Sequence, residues 1–218
     1  MTVVPAAFQL TGWIPAWWRG SAGGDDVLEL VGPTALDALA TMRTSTVILT
    51  AYCPELGVGV LPGPGEVNRS AVAAGQAVLL HAAHRGPSHV LVPDGASWTL
   101  LPGAPARPPD LDLRSAASEL AQAVLIAERA IRETGHVFDA PVPQASVRPL
   151  PPDAEPERKG LLVRAVRLWT AIAAIPDQQR TPEVAEVLTA AARATLAAYM
   201  DPQPVPTNRA AGPVRRRV

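Results

Sequence analysis

The sequence predicts an α+β protein: a mixed, largely antiparallel sheet with packed helices, followed by a three-helix C-terminal region. Short β-branched runs separated by Gly and Pro turns fill the first half of the chain. Long segments with helical periodicity fill the second half. Hydrophobic residues make up 48% of the 218 residues and charged residues 18%, a balance that supplies a sizeable buried core.

The first half has the predicted order β-α-ββ-α-ββ. Alternating or β-branched apolar residues predict the strands. Apolar residues at spacings of three and four predict the helices, and tight turns within each pair of strands favour antiparallel pairing. The predicted elements are a strand at 27–31, a helix at 35–43, strands at 44–52 and 58–61, a helix at 66–83, and strands at 90–92 and 98–101.

The second half is predicted to hold three helices. Apolar residues alternate spacings of four and three along residues 112–134, which predicts an amphipathic helix with a seam-like face. Two further helices are predicted over residues 157–175 and 181–200. Thr181 followed by a proline and an acid is a typical helix start.

The proline-rich stretch 102–109 is the predicted boundary between two parts of the chain. Residues 1–104 are predicted to form a sheet-containing α+β domain. Residues 105–200 form a helical region that packs on that domain or on a partner. Residues 201–218, rich in Pro and Arg, are expected to be a disordered tail.

Charge and composition exclude several classes of function. A net charge of −1 argues against binding to nucleic acid or to an anionic membrane surface. No apolar run approaches the ~20 residues that span a bilayer, and the first ten residues lack the pattern of a signal peptide. These features predict a cytoplasmic protein. A composition rich in Ala, Pro, Gly and Arg, with Lys159 as the only lysine, is typical of a GC-rich bacterial genome.

An N-terminal cluster supplies the strongest candidate for partner binding: Trp13, Trp17, Trp18 and Arg19. Trp and Arg dominate binding hot spots because they desolvate large areas at low entropic cost. The segment 12–20 is predicted to be irregular. The alternative is that this segment lies across the sheet and fills its open face.

Gly63 and Gly65 form a turn between a predicted strand and a predicted helix, where free backbone N–H groups can bind phosphate. The turn departs from known phosphate motifs, because Asn68 replaces the small residue of a dinucleotide fingerprint and no lysine is near. Glu66 also places negative charge at the helix start. The alternative is a tight connector.

His81, His84 and His89 are candidate metal ligands. On the predicted helix, His81 and His84 have the i, i+3 spacing that allows two side chains to share a metal, and His89 would add a ligand from the next strand. No acidic residue lies between them, and the alternative is a polar helix end whose cationic histidines favour the helix dipole. No cofactor is predicted.

Cys53 is the only cysteine, which permits no internal disulfide. A nucleophilic cysteine needs a base and an electropositive setting. The alternative, a small buried apolar side chain, is the commoner role of a single cysteine.

These patterns do not determine the function. The preferred hypothesis is a non-enzymatic protein-binding or assembly module, homo-oligomeric, that uses the Trp-rich segment or the helix 112–134. The partner is then another protein or a second copy of the chain. The competing hypothesis is a small-molecule enzyme or ligand sensor, with its site near Gly63–Glu66 and His81 and His84.

Overall fold

The fold follows from a computed structural model, which describes residues 4–42, 47–61, 63–82, 88–104, 111–135 and 147–200. Within those ranges it has seven α-helices and a four-stranded sheet. The helices are α1 (Ala6–Arg19), α2 (Gly24–Val31), α3 (Pro33–Thr41), α4 (Gly65–Ala74), α5 (Leu113–Thr134), α6 (Pro156–Ala173) and α7 (Pro182–Tyr199); the strands are β1 (Val47–Tyr52), β2 (Ala77–Ala82), β3 (Ser88–Asp94) and β4 (Ser97–Gly103). The predicted α+β class and its helical C-terminal region are confirmed.

The sheet is antiparallel throughout, in the order β1-β2-β3-β4. Thr50 of β1 faces Leu79 of β2, and Leu79 in turn faces Val90 of β3. The β3–β4 hairpin closes through Asp94 and Ser97, with Gly95 at a positive φ of 61°. Only glycine adopts that backbone geometry without strain, so the turn fixes the register of this hairpin.

Helices cover both faces of the sheet. Because side chains alternate along a strand, Leu49, Val78 and Leu91 point into the main core, where α1, α2 and α3 pack. Val90 and Val92 point the other way, into a smaller cluster that α4 covers. The main core continues into α5, α6 and α7 as one cluster of buried apolar side chains.

The prediction of a strand at 27–31 is wrong, because these residues form most of α2. Asp26 accepts a hydrogen bond from the Gly23 backbone N–H at 3.1 Å and stabilises the start of the helix. Val27 and Val31, four residues apart, are both buried. An apolar pattern of only five residues is compatible with the period of a strand and with that of a helix. The hydrogen-bonded helix start favours the helix here.

The predicted helix at 66–83 is correct only in its first half. The helix α4 ends at Ala74, where Gly75 adopts a left-handed conformation with φ 68°, and β2 follows from Ala77. Gly at this position is a common helix stop. Because alanines lie on both sides of Gly75, the spacing typical of a helix continues in the sequence beyond the residue at which α4 ends.

Two further local predictions are wrong. Residues 58–61 do not form a sheet strand, since Val58 makes only an isolated bridge to Cys53. The segment 12–20 is not irregular, because it lies almost entirely within α1, which tolerates Pro15 in its interior. The observed order is therefore three helices, a strand, a helix, three strands and three helices.

The three predicted C-terminal helices are confirmed as α5, α6 and α7. Helix α7 lies at their centre, because α5, α6 and α1 all pack against it. Small side chains allow this close approach. The buried alanines of α7 are Ala190, Ala191, Ala192, Ala194, Ala197 and Ala198.

Helices α1 and α7 approach each other closely at Gly12. A Cβ atom built on Gly12 would lie 2.7 Å from the carbonyl oxygen of Tyr199, closer than a carbon and a backbone oxygen can approach. The crossing therefore requires glycine at this position, although glycine is unfavourable in a helix interior.

We expect Gly12→Ala to lower the free energy of unfolding by about 1–3 kcal/mol through overpacking, although alanine is the better helix former. Gly65→Ala is the matched control, because a Cβ there would meet only the flexible tip of Arg69, at 3.5 Å. Urea denaturation followed by tryptophan fluorescence measures both variants. A Gly12→Ala protein as stable as the control would contradict the close crossing.

Candidate functional site

An open groove of about 730 Å³ lies between α5 and α6. The two helices both pack along α7 but make few contacts with each other, so the groove runs between them. The residues that line it are Leu120, Ala121, Val124 and Leu125 of α5 and Gly160, Val163, Arg164, Arg167 and Leu168 of α6.

The groove exposes apolar side chains on both of its walls. Leu125 is 65% exposed and Val163 is 57% exposed, whereas Leu120 is buried. A Cβ built on Gly160 would meet no atom within 4 Å, so open space lies beside this part of α6. Large exposed apolar residues that line one concave surface are typical of a binding site rather than of an ordinary surface.

The charges of the groove lie mainly on α6. Arg164 and Arg167 are exposed, and neither makes an ion pair with any residue that the structure describes. Glu157 lies three residues before Gly160 and therefore on the same side of the helix. On α5, Glu128 and Arg132 pair with each other at 3.3 Å.

Side-chain caps define where α5, one wall of the groove, and α7, the helix beneath it, begin. The carboxylate of Asp112 accepts a hydrogen bond from the Ser115 backbone N–H at 2.9 Å and begins α5. Hydrogen bonds from the side chain and backbone of Ser115 hold the pKa of Asp112 below its usual value. Thr181 caps α7, where its hydroxyl accepts a hydrogen bond from the Val184 N–H at 3.4 Å.

The tryptophan cluster predicted to bind a partner lies on α1, which packs against β1 and β2. Trp13 and Trp18 are only 5% and 4% exposed, and Trp17 is half-buried. Arg19 forms an ion pair with Asp153 at 2.7 Å. This placement favours the alternative interpretation, in which the segment covers the sheet.

Arg148 connects the segment before α6 to the first two helices, a role that no local pattern around it predicts. Its guanidinium lies 4.7 Å from the ring centroid of Trp13 and pairs with Asp26 at 3.2 Å and Glu29 at 2.9 Å. Its carbonyl oxygen accepts a hydrogen bond from the hydroxyl of Tyr199. Burial raises the pKa of Tyr199 far above its usual value, although the positive charge of Arg148 acts in the opposite direction, so the hydroxyl remains a donor.

We expect Arg148→Met to lower the free energy of unfolding by about 1–3 kcal/mol, because the cation–π contact and two partly screened ion pairs are lost together. Arg132→Met is the matched control, since Arg132 makes one ion pair and its side chain is 80% exposed. Denaturation midpoints of the two variants provide the comparison. Equal midpoints would show that Arg148 has no special role.

A side chain hydrogen-bonds to the backbone of the glycine turn before α4. The Gly63 backbone N–H donates a hydrogen bond to the Asn68 side-chain oxygen at 3.1 Å. Gly65 is the first residue of α4, and Glu66 lies in its first turn. One of the donors that a phosphate would need is thus already used, which supports the interpretation as a tight connector.

The histidines do not have the predicted arrangement. His81 lies on β2, not on a helix, so the i, i+3 argument is wrong; it is buried and hydrogen-bonds Thr50 at 2.8 Å. His89 lies on β3 opposite Leu80, so its side chain and that of His81 point to opposite faces of the sheet. His84 lies outside the described residues. Among the residues described, no three His, Cys, Asp or Glu side chains cluster as metal ligands would.

Cys53 is buried at the end of β1. Burial raises the pKa of its thiol, with Glu55 acting in the same direction and the Leu56 backbone N–H opposing it. A raised pKa means that less thiolate is present at neutral pH, which is the opposite of an activated nucleophile.

We expect iodoacetamide at pH 7.5 to alkylate Cys53 in the folded protein at least about tenfold more slowly than in concentrated urea, because the thiol is buried and protonated. The native rate should rise as the pH increases beyond the usual titration range of cysteine. Mass spectrometry of quenched samples measures both rates. Rapid native alkylation at pH 7.5 would contradict a buried, unactivated thiol.

The protein is thus an α+β protein whose C-terminal helices form an open apolar groove. Residues 7–113 match the family model described as "Rv1486c-like protein, N-terminal domain". This part of the chain, from α1 to the first residue of α5, is therefore similar to that domain, and the residues that line the groove lie beyond it. No curated protein and no solved structure matches the chain.

Among the helices that the structure describes, none combines the length and the apolar character needed to cross a bilayer.

Proposed function

We propose that this protein is a binding or assembly module that contacts another polypeptide through the groove between α5 and α6. The observation that carries the proposal is the exposure of Leu125 and Val163 on opposite walls of one open groove. Burying such side chains against a partner recovers about 25 cal/mol for each Å² of apolar surface removed from water.

The dimensions of the groove suit a partner helix. At 22 and 18 residues, α5 and α6 are about 33 and 27 Å long at 1.5 Å per residue. An amphipathic helix that enters such a groove makes contacts every three to four residues. Both walls pack on α7, which also supports the proposal, since less entropy is lost when a preformed surface binds.

The same features argue against a small-molecule site in this groove. Ligand pockets usually enclose their ligand and direct a few buried polar groups towards it. The polar side chains that line this groove are the two exposed arginines of α6. A broad apolar surface with charges at its edge instead resembles a protein interface, which has an apolar core and a polar rim.

We expect a photo-crosslinking amino acid at position 125 to form covalent adducts with protein in cells that make this chain. Adding Val163→Glu to the same chain should abolish these adducts, because a partner bound in the groove would have to bury the new charge on the opposite wall. Denaturing gels followed by mass spectrometry identify the crosslinked polypeptides and the peptides that carry the link.

Val72→Glu is the matched control, because Val72 is 56% exposed and lies on α4, outside the groove. Adducts at position 125 should survive this change. If position 125 gives no protein adduct, or if both glutamate variants lose the adducts equally, the groove is not a protein-binding surface.

A further inference from the structure

The groove side of α6 has a charge pattern that is complementary to itself. Glu157 lies at the N-terminal end of this side, Gly160 and Val163 lie at its centre, and Arg164 and Arg167 follow. The acidic and basic residues thus lie on either side of a small, apolar centre. All of them are exposed, so their charged groups are available to a partner.

This pattern selects one relative orientation of two copies of α6. If two copies run antiparallel about a two-fold axis that passes close to Gly160 and Val163, Glu157 of each copy faces the arginines of the other. A parallel pair would instead place Glu157 beside Glu157 and arginine beside arginine, which is repulsive. The antiparallel arrangement closes as a symmetric dimer when the two-fold axis is perpendicular to the helices, because the same surface of each copy is then buried.

The shape of the groove is also complementary to itself. Val163 and Leu125 are exposed on the two walls, while Gly160 has no side chain and leaves open space on the α6 wall. In a two-fold pair, an exposed side chain of one copy can occupy the space beside Gly160 of the other. Such packing of side chains into gaps is the usual geometry of paired helices.

The available area suits a dimer. A face about 30 Å long and two helix diameters wide, about 20 Å, offers on the order of 600 Å² per copy. A standard specific interface buries roughly 800 Å² per partner. The α5–α6 face therefore supplies most of the area of such an interface.

We infer that the occupant of the groove is a second copy of this chain, which forms a two-fold dimer through antiparallel α6 helices flanked by α5. This inference rests on the proposed function and names its partner. An unrelated partner would have to bring carboxylates to the arginines and a cation to Glu157, whereas a second copy brings both at matching positions.

Sedimentation velocity of the 218-residue chain tests the inference. The chain should be dimeric at micromolar concentration, and Val163→Glu should raise the dissociation constant by about a hundredfold or more, because each dimer would bury two new charges. Val72→Glu should leave the dimer unchanged. Circular dichroism of each variant verifies that the fold is retained.

Charge reversal tests the antiparallel register separately. Glu157→Arg alone, and Arg164→Glu combined with Arg167→Glu, should each weaken the dimer by about three- to tenfold at low salt, since like charges would then face each other. The protein with all three substitutions should regain the original dissociation constant. Rescue of this kind cannot arise from damage to the fold of one copy.

A chain that stays monomeric at about 100 µM, far above the dissociation constants of specific dimers, would overturn the inference. A dimer that Val163→Glu leaves intact, or that the triple substitution fails to restore, would also overturn it. Photo-crosslinks from position 125 separate the two proposals: links to another protein refute only the dimer, and the absence of any link refutes both.

Discussion

The contact between Gly12 and the carbonyl oxygen of Tyr199 is the constraint on which the arrangement of the helices depends. It brings α1 close to the end of α7, and α1 lies on the sheet. Helix α7 is thereby fixed relative to the sheet, and α5 and α6 take their positions from α7. Arg148 reinforces the same junction, because its side chain contacts Trp13 while its carbonyl oxygen binds Tyr199. The groove thus depends on a junction that lies outside it.

The groove stays open because α7 satisfies the main packing needs of both its neighbours. Leu120 of α5 and Ala165 of α6 are buried in the core that α7 shares, so neither helix needs the other for its own stability. Leu125 and Val163, which are exposed on the groove walls, have no equivalent place in this core. The groove sides of α5 and α6 are therefore incompletely covered. A further helix can pack against them, as the fourth helix of a four-helix bundle packs against the other three.

The sequence predicted those parts of the fold in which one local pattern is long or unambiguous. The 22 residues of α5 contain several helical turns, and the β3–β4 hairpin has a clear turn signal. The segment 27–31, predicted as a strand, is too short for its apolar spacing to distinguish a strand from a helix. The groove itself could not be predicted, because it depends on how far α5 lies from α6 across α7. Arg148 could not be predicted for the same reason, since the partners of its side chain are more than 100 residues away in the chain.

The position of the tryptophans in the core limits the kind of interface that this protein can form. Trp13, Trp18, Trp98 and Trp169 are buried in the core, and Trp17 packs against it. The groove therefore lacks the aromatic anchors that usually dominate binding hot spots, and its contacts come from aliphatic side chains. Aliphatic surfaces discriminate poorly between partners, because their attraction is not directional. Specificity must then come from the charges beside them, and on α6 those charges are arranged so that an antiparallel copy of the same helix matches them.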